Sequence, residues 1–117
     1  MARLGELERA VMDVLWTDGG WLTAREVAER LAAERDLAYT TVLTVLDRLG
    51  HKDFVRRERA GRAYRYRCAA AREDVVAEAM LEALDTTDDR RSALMRVLGS
   101  VSADDAELLR EIVGRER

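Results

Sequence analysis

Thr40, Thr44, Asp47, Arg48 and His51 recur at intervals of three or four residues. On an α-helix, where each residue turns the chain by about 100°, that spacing puts them on one side. Two hydroxyls, a guanidinium, an imidazole and a carboxylate on one helix face suit the edges of bases in the major groove of DNA. Thr41 and Leu43 flank the face, and small apolar contacts of the Leu43 kind suit thymine methyls. Asp47 is the discordant member. Its carboxylate repels phosphates unless it accepts from a cytosine amino group or holds Arg48 or a neighbouring arginine in place. Just downstream, Lys52, Arg57, Arg59, Arg62 and Arg65 offer charge to phosphates, with Arg59 and Arg62 bracketing a turn.

The charge balance isolates this stretch. The 117-residue chain has a formal net charge of -3, yet residues 47–67 hold eight Lys and Arg against three acids. The segments on either side are acidic. A basic island in an acidic protein is a local electrostatic footprint, and phosphate contacts are local. An edge strand made soluble by charge accounts for two or three of these arginines, but not for the scarcity of interleaved acids.

The elements that must position these residues follow from periodicity. Leu7, Val11, Val14 and Leu15 make an apolar stripe on a helix from Leu4 to Trp16, ended by Thr17-Asp18-Gly19-Gly20. Thr23 and Glu26 have the three-residue offset of a capping box, opening a second helix with Val27, Ala28 and Leu31 inside. A third helix runs from near Ala38, with Asp36 available to cap it, to near Gly50. Val42, Val45, Leu46 and Leu49 fall within about 60° of one another on it and form the core stripe. Phe54 to Glu58 and Arg62 to Cys68 alternate as two strands around an Ala60-Gly61 turn, with Tyr64 and Tyr66 on the packing face. Three helices and a hairpin, in this order, make a winged helix-turn-helix. The fold class expected is therefore mainly α with a small β-hairpin, plus a C-terminal helical segment.

Other functions find little support. There is no glycine-rich phosphate loop and no nucleophile paired with a base, so an enzyme is not expected. A single cysteine, Cys68, and a single histidine, His51, build neither a disulfide nor a metal site, and no cofactor is expected. Cys68 reads as a small buried apolar residue. No apolar run approaches the roughly 20 residues of a membrane span, and no signal peptide is evident, which points to the cytoplasm without membrane insertion.

The stretches LGELERAVMDVLW, LTAREVAERL, YTTVLTVLDRL and GRAYRYR together resemble the BlaI/MecI/CopY family of bacterial repressors over nearly the whole chain. That resemblance implies a homodimer with an N-terminal winged-helix DNA-binding domain and a C-terminal helical dimerisation domain, placed here at residues 1–69 and 70–117. It implies an inverted-repeat promoter operator, a recognition helix from Thr40 to Leu49 and a wing from Phe54 to Arg67. It also implies a link to antibiotic resistance, and a membrane sensor protease or its effector as a partner. The chain departs from the pattern in two places. It contains no Asn, so the Asn-Phe bond cut in the penicillinase branch is missing and its place falls near Arg96-Val97. It also lacks the C-terminal cysteine cluster of the copper-responsive branch.

The C-terminal segment has its own logic. Val75, Val76, Ala79, Met80, Ala83 and Leu84 form one stripe, Leu94, Met95, Val97 and Leu98 a second, and Leu108, Leu109, Ile112 and Val113 a third. Ser102 is placed to cap the last helix. Short helices without an aromatic residue do not make an independent core, so a second copy is expected against Val76, Met80, Leu84, Leu94, Leu98, Leu108, Leu109 and Ile112. A different class of function stays open: a winged-helix module whose basic wing docks an acidic protein.

Overall fold

The computed structural model describes residues 4–115. Its elements are α1 (Glu6–Asp18), β1 (Leu22–Thr23), α2 (Ala24–Leu31), α3 (Tyr39–His51), β2 (Val55–Ala60), β3 (Ala63–Cys68), α4 (Arg72–Leu84), α5 (Arg90–Ser100) and α6 (Ala103–Arg115). The chain divides into two compact units, one ending at Glu78 and the other beginning at Ala79. No described helix is long and apolar enough to cross a membrane.

In the first unit, α1 begins at Glu6, two residues later than its apolar stripe suggests, because the Gly5 N–H donates to the Glu8 carboxylate at 2.7 Å. Val11, Met12 and Leu15 face inward, and Gly19 ends the helix at φ 78°. The Thr23–Glu26 capping box forms as expected. Its capping residue is extended, and the two residues entering α2 pair with the wing as Leu22↔Tyr66 and Thr23↔Arg65. The hairpin is therefore part of a three-stranded sheet of order β1-β3-β2, where two strands were expected. The reversal also moves: Ala60 pairs with Ala63, so the turn is Gly61-Arg62 rather than Ala60-Gly61. Gly61 takes φ 67°, the left-handed first position that matches strand twist in a two-residue hairpin.

The core stripe of α3 is buried as expected at Val42, Val45, Leu46 and Leu49. Its ends differ from the expectation. Ala38 is the N-cap and no side chain caps it, so Asp36 does not fill that role. Gly50 stays helical, and the helix closes one turn further on. There Asp53 N–H donates to Gly50 at 3.1 Å and Phe54 N–H to Leu49 at 2.9 Å. Asp53 is left-handed at φ 64°, completing a Schellman closure with buried Phe54 behind it. Lys52 sits beside this closure and reaches back to Glu8, at 2.8 and 2.9 Å from its two carboxylate oxygens. Glu8 is only 7% exposed. Burial pushes its carboxyl up, but the Lys52 hydrogen bond, the Gly5 N–H and the Lys52 and Arg48 charges outweigh that and hold it below 4.5.

One core joins these pieces, with Leu22, Ala24, Val27, Leu31, Val55 and Tyr66 packed against the inner faces of α1 and α3. Val75, expected in the C-terminal stripe, belongs to this core. The approach to α4 is tied down by Trp16, whose indole N–H donates to the Ala70 carbonyl at 2.8 Å while Arg72 lies over its ring. Cys68 is a free thiol, half-buried at the edge of the core.

The second unit has well-marked helix starts, and none of its described residues is buried. Asp89 caps α5 through the Ser92 N–H, and Ser102 caps α6 through the Asp105 N–H at 3.1 Å. Met80, Leu81, Leu94, Met95, Val97, Leu98, Leu108, Leu109, Ile112 and Val113 are all exposed, Met95 by 60%.

Two stability predictions follow from the α3 closure and its ion pair. Asp53→Gly removes the cost of a left-handed side chain and should raise the unfolding free energy by about 0.5–1 kcal/mol, whereas Asp53→Val should lower it; urea denaturation of both variants checks this. The Glu8 carboxyl is lower in the folded state, so its contribution is complete above pH 4.5 and fades as pH falls through the folded value. Glu8→Gln should cost about 1–3 kcal/mol at neutral pH, and its deficit should shrink in acid. A deficit independent of pH would contradict that linkage.

Candidate nucleic-acid interface

Burial of Val42, Val45, Leu46 and Leu49 against α1 and α2 fixes the roll of α3 about its axis. Thr40, Thr44, Asp47, Arg48 and His51 are consequently exposed, and Thr41 and Leu43 half-buried on the flanks. The Thr44 hydroxyl donates to the Thr40 carbonyl at 3.0 Å, which leaves its oxygen free to accept. Asp47 lies 3.5 Å from the His51 imidazole one turn on. Lys52 differs from its neighbours because its ammonium is engaged by Glu8 on the inner side of the helix end.

The strand register sorts the wing arginines between two faces. Arg57 pairs with Tyr66 and Arg59 with Tyr64, so these four side chains share the face whose inner end, Val55 and Tyr66, is buried. Arg57 lies over the Tyr64 ring at 4.4 Å, with Arg59 at 5.9 Å. Arg62 is exposed in the turn. Arg65 is on the opposite face, where it pairs with Glu58 and lies over Trp21 at 5.4 Å. Arg67 joins it over the same ring at 5.6 Å.

A cleft of about 250 Å³ separates α3 from the wing, lined by Asp47, Gly50, His51, Arg57 and Tyr66 with Leu46 and Val55 at its floor. Beside it, Tyr39, Leu43, Arg62, Tyr64 and Arg25 line a second one. Asp47, His51 and Leu43 of the expected α3 face thus line clefts with Arg57 and Arg62, and Arg59 lies by the Tyr64 ring. Thr40, Thr44 and Arg48 are exposed outside these clefts, and Arg65 is on the opposite face of the wing. Tyr64 departs from the packing role its alternation suggests: it is 38% exposed, because the sheet outruns the core beyond Tyr66. Arg25, outside the basic stretch and without a sequence pattern to mark it, also belongs here: its guanidinium lies 5.5 Å from the exposed Tyr39 ring at the start of α3. The alternation of Arg and Tyr in β3 was the available signal, but only the cross-strand register shows which arginine meets which ring. Among the described residues, no group of three or more His, Cys, Asp or Glu is placed to hold a metal ion.

Comparison with known proteins agrees with this geometry. The family model described as penicillinase repressor matches residues 4–115. A transcriptional regulator BlaI of Mycobacterium tuberculosis is 48% identical over 113 residues, covering 94% of this chain and 82% of the relative. A Bacillus licheniformis BlaI, solved as a monomeric form in complex with the blaP half-operator, is 25% identical with a TM-score of 0.52. That match covers 62% of this chain and 88% of the other. A MarR family protein from Bacillus stearothermophilus shares the fold at 20% identity and a TM-score of 0.52, over 97% of this chain and 73% of its own. A family match along almost the entire chain, on a winged helix-turn-helix with an exposed polar α3 and a basic wing, places this protein in the penicillinase repressor family of transcriptional regulators.

Proposed function

We propose that the protein is a cytoplasmic homodimeric repressor that covers a promoter by binding an inverted-repeat DNA operator. The observation that carries this reading is the exposed polar face of α3 beside two clefts in which Asp47, His51 and Leu43 meet the wing arginines Arg57 and Arg62. In this reading α3 lies in the major groove, where Thr40, Thr44, Asp47 and Arg48 meet base edges and Thr41 and Leu43 touch thymine methyls. His51 and Asp47 act as a pair. Arg59 and Arg62 neutralise phosphates, with Arg65 supporting the wing from behind through Glu58 and Trp21. Lys52 serves the fold more than the DNA, because Glu8 holds its ammonium.

The exposed apolar faces of α4, α5 and α6 support the dimer. Ten large apolar side chains in water are a poor outer surface, and a second copy of the same unit covers them symmetrically. A two-fold protein then matches a two-fold operator. The relative on a half-operator, in its monomeric form, fits that division of labour. Release by proteolysis needs a bond other than Asn-Phe, because the chain has no Asn; the region of Arg96-Val97 lies inside α5.

The direct experiment is sequencing of genomic fragments retained by the purified protein at about 0.15 M salt, where weak phosphate binding is suppressed. A shared inverted repeat in a few promoters is the expected result, while diffuse recovery would favour docking to an acidic protein. On the recovered duplex, Thr44→Ala should cost about 1–3 kcal/mol and little on scrambled DNA. Arg62→Ala should weaken both duplexes alike and reduce the salt dependence by about one counterion. In sedimentation, the wild type should run at twice the 13.3 kDa chain mass, and Ile112→Asp should shift it towards the monomer; an unshifted dimer would move the interface off α6.

A further inference from the structure

Arg57 is held differently from the other arginines around the α3 face. Its guanidinium is 4.4 Å from the Tyr64 ring, the shortest such approach among the described residues, and it stands directly across the strand pair from Tyr66. It lines the cleft with Asp47 and His51 instead of the wing tip. Burial raises the Tyr66 phenol while the Arg57 charge and hydrogen bonding act against that, in agreement with a guanidinium close to its oxygen. The Tyr64 ring and the Tyr66 phenol therefore flank this guanidinium before any ligand arrives. A phosphate can be met by charge alone, which the exposed Arg62 supplies, whereas a base edge needs donors at fixed angles.

We propose that Arg57 is a specificity-determining residue that contacts a base edge of duplex DNA beside those met by α3, and that Tyr64 is the positioning residue that sets its guanidinium plane. This rests on the reading of α3 and the wing as a DNA-binding surface. It removes Arg57 from the phosphate-neutralising arginines and gives the exposed Tyr64 a role. Lysine at position 57 keeps the charge but loses the planar fork, so charge and geometry separate cleanly.

The test measures affinity for the best duplex selected from a randomised library and for its scrambled counterpart, using full-length protein with Arg57→Lys, Tyr64→Leu, Tyr64→Phe or both Arg57→Lys and Tyr64→Leu. Arg57→Lys should lose about tenfold on the selected duplex, with unchanged binding to scrambled DNA and an unchanged salt slope. Tyr64→Leu should reproduce most of that loss, Tyr64→Phe should not, and the double variant should lose no more than Arg57→Lys alone. In the free protein, NMR should show the Arg57 side-chain protons shifted by the Tyr64 ring in the wild type and Tyr64→Phe, and unshifted in Tyr64→Leu. Undiminished preference in Arg57→Lys, or equal losses on both duplexes, would overturn the assignment. A wild type without sequence preference would instead overturn the DNA reading beneath it, and the free-protein NMR would still report whether Tyr64 positions Arg57.

Discussion

The interface depends on one packing constraint, the burial of Val42, Val45, Leu46 and Leu49 on the inner side of α3. Turning the helix by one residue, about 100°, would drive Thr44 or Asp47 into an apolar core and lift a valine or leucine into water. Each such exchange costs roughly 1–3 kcal/mol for every side chain misplaced, so the helix has one stable orientation. Its outward face inherits that rigidity. The closure at Asp53 and the Lys52–Glu8 pair then fix the helix end against α1, where the chain must turn sharply into β2.

The wing depends on the same core by a different route. Tyr66 is buried where β3 passes between β1 and β2, and register from that point decides the direction of every residue beyond it. Arg57 and Arg59 accordingly share a face with the tyrosines, and Arg65 and Arg67 share the other with Trp21. A two-residue turn shifted by one position would keep these sets but set Arg57 opposite Tyr64, whereas a three-residue loop would exchange them. Gly61, at φ 67°, favours the observed register because a two-residue turn places it where an L side chain is strained.

Much of this was legible in the sequence. The four-residue core stripe of α3 and the Thr23–Glu26 capping box are local patterns, and local patterns survive folding because spacing alone determines them. What escaped depends on contacts distant in sequence. The strand at Leu22–Thr23 exists only through Tyr66 and Arg65, and two residues carry no periodicity to detect. Tyr64 looked like a packing residue because alternation assigns a face but does not tell where the core beneath it ends. Lys52 looked like one more base in a basic run, and only the fold brings Glu8 to it from the first helix. In the C-terminal unit the stripes were plain, and so was their consequence: the helices form and leave their apolar sides in water.

The central claim is that the outward face of α3 and the front of the wing meet DNA. Its most direct test is an NMR titration of the full-length protein with a duplex carrying the recovered inverted repeat, following each backbone amide. The largest changes should fall at Thr40, Thr44, Asp47 and Arg48 and along Arg57 to Arg62, with α1 and α2 little affected on their outer sides. Changes concentrated around Glu6, Asp18 and Arg35 on those outer sides, with α3 unmoved, would contradict it.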